Sequence, residues 1–242
     1  MEQQLPVFFA VLCRWTPMFL AVGSGPMHWF PTPVRLVLLL VFSLLSWPLV
    51  AHEPVTSITY LREFAVGVLL AIQLQLVFAA LSFWGRLLDQ QIGFMAAGMF
   101  NAQSQEQEPL TGTAIMLGAT VLFFMLGLHH QWLQLVLQSF QWVPLGTELT
   151  ADWFLRSALA FGWMFVVAMG LFLPTVVGLW LFDICSALLS RTLPQMNIYF
   201  VGMPLKIMLG LLLLSASVGL LGNFIARMNE QALRLTQSVF VG

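Results

Sequence analysis

Charge is what this sequence lacks. Only 8% of its 242 residues are Asp, Glu, Lys or Arg, while 60% are hydrophobic, and the mean hydropathy is +0.90. An average soluble domain carries roughly 25% charged residues. A soluble fold of this size could not hide so much apolar surface, so the solvent for much of the chain is lipid or other apolar protein. Neither sign of charge dominates: nine basic and ten acidic residues leave a net charge of −1. Nothing in that balance calls for a nucleic-acid partner.

Other features are equally sparse. Cys13 and Cys185 are the two cysteines, far apart and in apolar surroundings. Two buried small hydrophobes fit them better than a disulfide. The opening stretch "MEQQLPVFFAVLCRWTPMF" has no basic leading region, because Glu2 comes first and Arg14 interrupts the apolar run. A cleaved signal peptide is not expected, and membrane targeting must come from the apolar segments themselves. There is no HExxH, no GxSxG and no pair of intramembrane aspartates, and "GSG" alone is a weak phosphate signal. No enzyme activity, nucleotide hydrolysis or cofactor is expected. His129 and His130 are adjacent, so on a helix they point about 100° apart and cannot easily share a metal. A polar aromatic pair at a loop tip between apolar helices is the preferred reading.

The apolar residues come in solid runs: Trp15–Val34, Leu36–Ala51, Phe64–Gly85, Pro109–Thr147, Ser157–Phe182 and Ile207–Ala226. A bilayer-spanning helix needs roughly 20 such residues, so the pattern predicts about six helical segments of an all-α membrane protein. Alternation of the β-barrel kind is absent. Several runs fit a simple span poorly. Trp15–Val34 contains "GSGP", and Pro109–Thr147 is too long for one helix. Pro174 should kink Ser157–Phe182 by removing a backbone hydrogen bond. Helices so interrupted belong where other protein surrounds them. That points to a subunit buried in an assembly or to a transporter with broken helices.

The polar breaks carry the remaining signals. "FNAQSQEQEPLTGT" is the most polar stretch of the chain. Before it, "GFMAAGMF" places Met95 and Met99 four apart on one helical face. Such a face could gasket a pore or simply fill a core. "VPLGTELTADW" is a turn leading into a new helix, with Thr150 as cap and Asp152 at the positive end of the dipole. It is taken as a boundary near residue 150. Asp183, inside an apolar run and eight residues before Arg191, is expected to pair with a basic group. Ser215/Gly219 and Gly222/Ala226 have the spacing of close helix contacts.

Three collinear stretches resemble one family. "LSRTLPQMNIYFVGMPLKIMLG" is similar to the C-terminal signature of the FliR proteins, subunits of the flagellar export gate, through Arg191, Pro194, Gln195, Asn197, Gly202, Pro204 and Lys206. "LLDQQIGFMAAGMFN" matches the family's D-x-Q-x-G at Asp89, Gln91 and Gly93. "GLHHQWLQLVLQSFQWVPLG" resembles its G-H-H…S-F…P-x-G through His129, His130, Ser139, Phe140, Pro144 and Gly146. The injectisome SctT family shares much of the pattern.

The resemblance implies a non-enzymatic subunit of a type III protein export gate in the bacterial inner membrane, at the flagellar basal body. It implies FliP, FliQ and FlhB homologues as partners, with FlhA nearby and unfolded proteins as substrates. Residues 1–150 would be FliP-like and 151–242 a FliQ-like hairpin, packed as kinked hairpins among membrane lipid and partner chains. Loop 100–113 is the candidate plug, through Asn101, Gln103, Gln105, Glu106, Gln107 and Glu108, with Met95 and Met99 as its seal. The rivals are an injectisome gate subunit and a stand-alone secondary transporter or channel.

Overall fold

The computed structural model describes residues 4–20, 23, 25–50, 55–93, 110–192 and 198–241, and every regular element among them is helical. In chain order these are α1 (Gln4–Leu20), α2 (Thr32–Ser46), α3 (Ser57–Ile92), α4 (Leu110–Met125), α5 (Leu128–Trp142), α6 (Ala151–Thr192) and α7 (Ile198–Val241). Short 3-10 turns at Pro26–Trp29 and Trp47–Leu49 flank α2. Among the described residues, four stretches are long and apolar enough to cross a membrane: Thr32–Leu49, α3, α6 and Gly202–Phe240. The α4–α5 pair would be a fifth, bent by 70°. The expected run Trp15–Val34 is instead divided between the end of α1 and a 3-10 turn that starts at Pro26. Proline and glycine there cost a helix too many backbone bonds.

The over-long run from Pro109 divides at Gly127, whose φ of +68° is left-handed backbone that favours glycine. His129 and His130 follow at once in the first turn of α5, with ring centroids 4.0 Å apart. The pair therefore sits just beyond the bend. Helix α6 continues through Pro174, and α7 through Pro204.

The described residues fall into two compact units that interleave along the chain. One takes Met1–Ala79, Phe123–Met164 and Arg227–Gly242; the other takes Ala80–Leu122 and Phe165–Ala226. In the first, α1 packs on α2 through Trp15 and Phe19 stacked against Phe42, at 5.4 and 5.7 Å between centroids. The Trp15 indole donates to Ser46 Oγ at 3.0 Å, which satisfies its buried N–H. Helix α1 also crosses α3 at Gly67, where a Cβ would collide with the Arg14 carbonyl. Backbone cannot step aside as a side chain can. Gly67→Ala should therefore lower stability by about 1–3 kcal/mol, read as a drop in the thermal midpoint of the purified protein. An unchanged midpoint would mean that the two helices part freely.

In the second unit α6 and α7 pair antiparallel. Thr175 Oγ1 meets Ser217 Oγ at 3.1 Å, Gly178 lies against Leu213, and Asp183 meets Lys206, so residue numbers fall on one helix as they rise on the other. The close contacts are at Gly178 and at Gly210, which packs on Ile92. Among the described residues Gly219 and Gly222 have no neighbour close enough to exclude a side chain, so the small-residue spacing there makes no close contact within this chain. Cys13 is half-buried and Cys185 exposed, and both are free thiols. Burial was the wrong expectation for Cys185, which lies on an α6 surface carrying exposed Leu181, Ile184 and Leu188.

Candidate functional site

Two deeply buried charges face each other in the first unit. Arg14 of α1 and Glu63 of α3 form an ion pair, Nε to Oε2 at 2.6 Å, with side chains 0% and 1% exposed. Such a pair is tolerable when further donors and acceptors around it are engaged too, as several are here. Arg14 Nη1 donates to Ser139 Oγ at 3.3 Å and Nη2 to the Val143 carbonyl at 2.8 Å. The Phe140 ring lies 4.2 Å from the guanidinium carbon. Glu63 Oε1 accepts from the Gly146 amide at 3.0 Å. The Gly146 carbonyl accepts from Arg62 at 2.7 Å, and its φ of +80° is a turn that glycine permits. The "SF…PLG" stretch is thus the socket for a charge carried by α1. The sequence does not mark Arg14 or Glu63 for this role, beyond Arg14 being a lone charge inside an apolar run.

In the second unit Asp89 is buried, and both carboxylate oxygens accept backbone hydrogen bonds from the start of α4. Thr111 donates at 2.8 Å and Gly112 at 2.9 Å. These are two of the four orphan amides at the N-terminus of α4, and an anion there also meets the positive end of its dipole. The approach is close because Gly85 faces Gly112, whose Cα would lie 2.7 Å from a Cβ at position 85. Helix α3 then stops at Gly93, with φ +97°. One carboxylate therefore ties the place where the chain leaves α3 to the place where it re-enters α4.

Beside this clamp is a cavity of about 500 Å³. Gln91 of α3 and Gly93 just beyond its end line it, with Asp183 from α6, and Gly202 and Lys206 from α7. Two stretches separated by about a hundred residues thus meet on one cavity. Lys206 Nζ lies 2.7 Å from Asp183 Oδ1 and 2.8 Å from Oδ2. Asp183 does have a basic partner, on the neighbouring helix. Arg191 is exposed in the last turn of α6, with no partner among the described residues, and Pro204 is exposed within α7. Pro194, Gln195 and Asn197 lie outside the described residues. So do Met95, Met99, Asn101, Gln103, Gln105, Glu106, Gln107 and Glu108.

Comparison with known proteins bears on the same stretches. The model of the family "Bacterial export proteins, family 1" matches residues 5–232. The flagellar biosynthetic protein FliR of Bacillus subtilis is 31% identical over 160 residues, which cover 63% of this chain and 61% of that protein. FliR of Aquifex aeolicus is 26% identical over 205 residues, covering 79% of this chain and 77% of its own length. The secretion system apparatus protein SsaT of Salmonella typhimurium is 30% identical over 146 residues, 57% of this chain and 56% of its own. The matched stretch is less than two thirds of the Bacillus subtilis protein. The family match runs from the first turn of α1 deep into α7 and includes the Arg14 socket, the Asp89 clamp and the Asp183–Lys206 cavity, and on it the chain belongs to the bacterial export proteins, family 1.

Proposed function

We infer that the protein is a non-enzymatic subunit of a type III protein export gate in the bacterial inner membrane, at the flagellar basal body. The observation that carries this reading is the family match over residues 5–232, which reaches every helix described above. On it, the chain works with other export components: FliP, FliQ and FlhB homologues, with FlhA nearby and unfolded flagellar proteins as cargo. The antiparallel α6–α7 pair supports reading 151–242 as a FliQ-like hairpin after a FliP-like 1–150. The apolar surface supports assembly. In the most apolar stretch of α7 only 17% of residues are buried, against 67% in the corresponding stretch of α3, so its other faces need lipid or partner helices. The SsaT match favours an injectisome gate as the second reading.

Conduction is then a matter of geometry. A pore with a flexible apolar ring can hold back ions yet deform around a passing chain. Met95 and Met99 would form that ring, and residues 100–113 the plug. Deleting Ala102–Pro109 should raise ion leak across the membrane and slow growth, and leak at the wild-type level would remove the plug from this account. Co-expression tests the assembly itself. The chain made alone should aggregate, and FliP and FliQ homologues should rescue it as a complex. A stable, substrate-binding chain without partners would favour a transporter.

A further inference from the structure

The outward sides of α2 and α7 differ in kind. From Val34 to Leu45 every exposed position of α2 is leucine or valine, while Ser43 and Ser46 are buried. Bulky aliphatic side chains of that sort suit lipid tails. On α7 the exposed positions inside the charge-free stretch Ile207–Ala226 include Ala216, Gly219 and Asn223. The Asn223 side chain makes no hydrogen bond among the described residues. Lipid tails offer it none, so an amide left there would be costly.

Spacing gives this face a direction. Leu212, Ala216, Gly219, Asn223 and Ala226 follow one another at intervals of four, three, four and three residues. Four of them are exposed and Ala226 is half-buried. A stripe with a period of 3.5 residues stays against a second helix over several turns, whereas lipid imposes no period. The small residues let two backbones approach, and a Cβ built at Gly219 meets nothing within 4 Å, so this chain does not use that approach itself. One asparagine in such a stripe fixes register and the number of helices that pair. Arg227 follows directly, exposed and without a partner among the described residues. In this repeat its position flanks the seam, where a residue reaches a charge on the facing helix.

We propose that this seam of α7 seats one membrane-spanning helix of another chain, with a small residue opposite Gly219, an amide or hydroxyl opposite Asn223 and a carboxylate within reach of Arg227. It deepens the gate reading and rests on it for the source of that helix. The stripe argues against a water-lined wall, which would be polar along its length, whereas Leu212 opens this one and alanine and glycine fill it. A second copy of this chain fits poorly. It would bring another Arg227, and the nearest acid on the helix, Glu230, is already paired with Arg234 at 2.6 Å.

The test uses the full chain in bacterial membranes, co-expressed with the FliP and FliQ homologues and carrying photo-reactive benzoylphenylalanine at Leu212 or, as a control, at Val37. Leu212 should give about tenfold more protein adduct than Val37, and the adduct should map to an apolar helix that carries an Asp or Glu. Gly219→Leu should cut that adduct about tenfold with the amount of chain in the membrane unchanged, because the added side chain meets open space in this chain. Arg227→Glu should also cut it, and changing the mapped acid to lysine should restore it. The proposal is overturned if Leu212 captures only lipid or a second copy of this chain, if the mapped helix has no acid, or if Gly219→Leu cross-links as wild type does. Labelling of Asn223→Cys by a membrane-impermeant maleimide would also overturn it, as the mark of a water-lined face. A mapped helix with the stated chemistry from a protein outside the export components would uphold the seam and defeat the gate reading, so the two failures are told apart.

Discussion

Arg14→Met should be among the most damaging single substitutions in the chain, costing about 3–5 kcal/mol, as expected for breaking a buried ion pair from one side. The loss is not that of one contact. Removing the guanidinium strands the Glu63 carboxylate at 1% exposure and leaves the Val143 carbonyl without its donor. Glu63 would keep only the Gly146 amide. Lysine should not restore the site, because a single ammonium cannot serve Glu63, Ser139 and Val143 in the planar fork that arginine presents. Glu63→Gln should fall between wild type and Arg14→Met. Its carbonyl can accept from Gly146, but its amide then sets a donor against Arg14 Nε. The double variant Arg14→Met/Glu63→Met should be less damaged than Arg14→Met alone, since no charge remains buried. Unfolding of the purified protein by detergent titration or heat measures this order. An Arg14→Met protein as stable as wild type would remove the ion pair from the account of how α1 is held.

Partners far apart in the chain leave the weakest trace in the sequence. The all-helical membrane character was legible because lipid leaves a long compositional trace. Solid apolar runs need no tertiary information to interpret. The break in the long run after Pro109 was legible for a related reason, since its length exceeds one span. Arg14 was different. In sequence it is a lone charge that spoils an apolar run, and Glu63, 49 residues on, carries no mark of being its partner. The nearest thing to a mark was the "SF…PLG" resemblance, which named the socket without naming what fills it. Asp183 shows the middle case. Its need for a cation followed from burying an acid in an apolar run. The nearby Arg191 could not satisfy it, because eight helical residues separate the two by about 12 Å. The cation came from α7, across the helix pair. Gln91, Gly93, Gly202 and Lys206 were marked as family positions, but only the fold places them around one cavity.

Asp89→Ala should have the second large effect, because it strands two buried backbone donors at once. Its cost should be about 2–3 kcal/mol, from the unsatisfied Thr111 and Gly112 amides together with the lost helix cap. Asp89→Asn keeps one acceptor oxygen and turns its second position into a donor facing a donor, so it should cost roughly half as much. Glutamate is not a substitute. Its extra methylene must fit where Gly85 and Gly112 already bring the two backbones together. The functional consequence follows from where the clamp acts. The described chain leaves α3 at Gly93 and returns at Leu110, and Asp89 holds the returning end only four residues from the departing one. If residues 100–113 plug a pore, this carboxylate fixes the base of the plug. Ion leak in cells should then rise in the order wild type, Asp89→Asn, Asp89→Ala, with Asp89→Glu also leaky. The proposed complex with FliP and FliQ homologues should still co-purify, since the Asp183–Lys206 pair and the Arg14 socket are untouched. Equal leak across the series with an intact complex would make Asp89 a purely structural cap. Loss of the complex in Asp89→Asn would show that the clamp shapes an assembly surface instead.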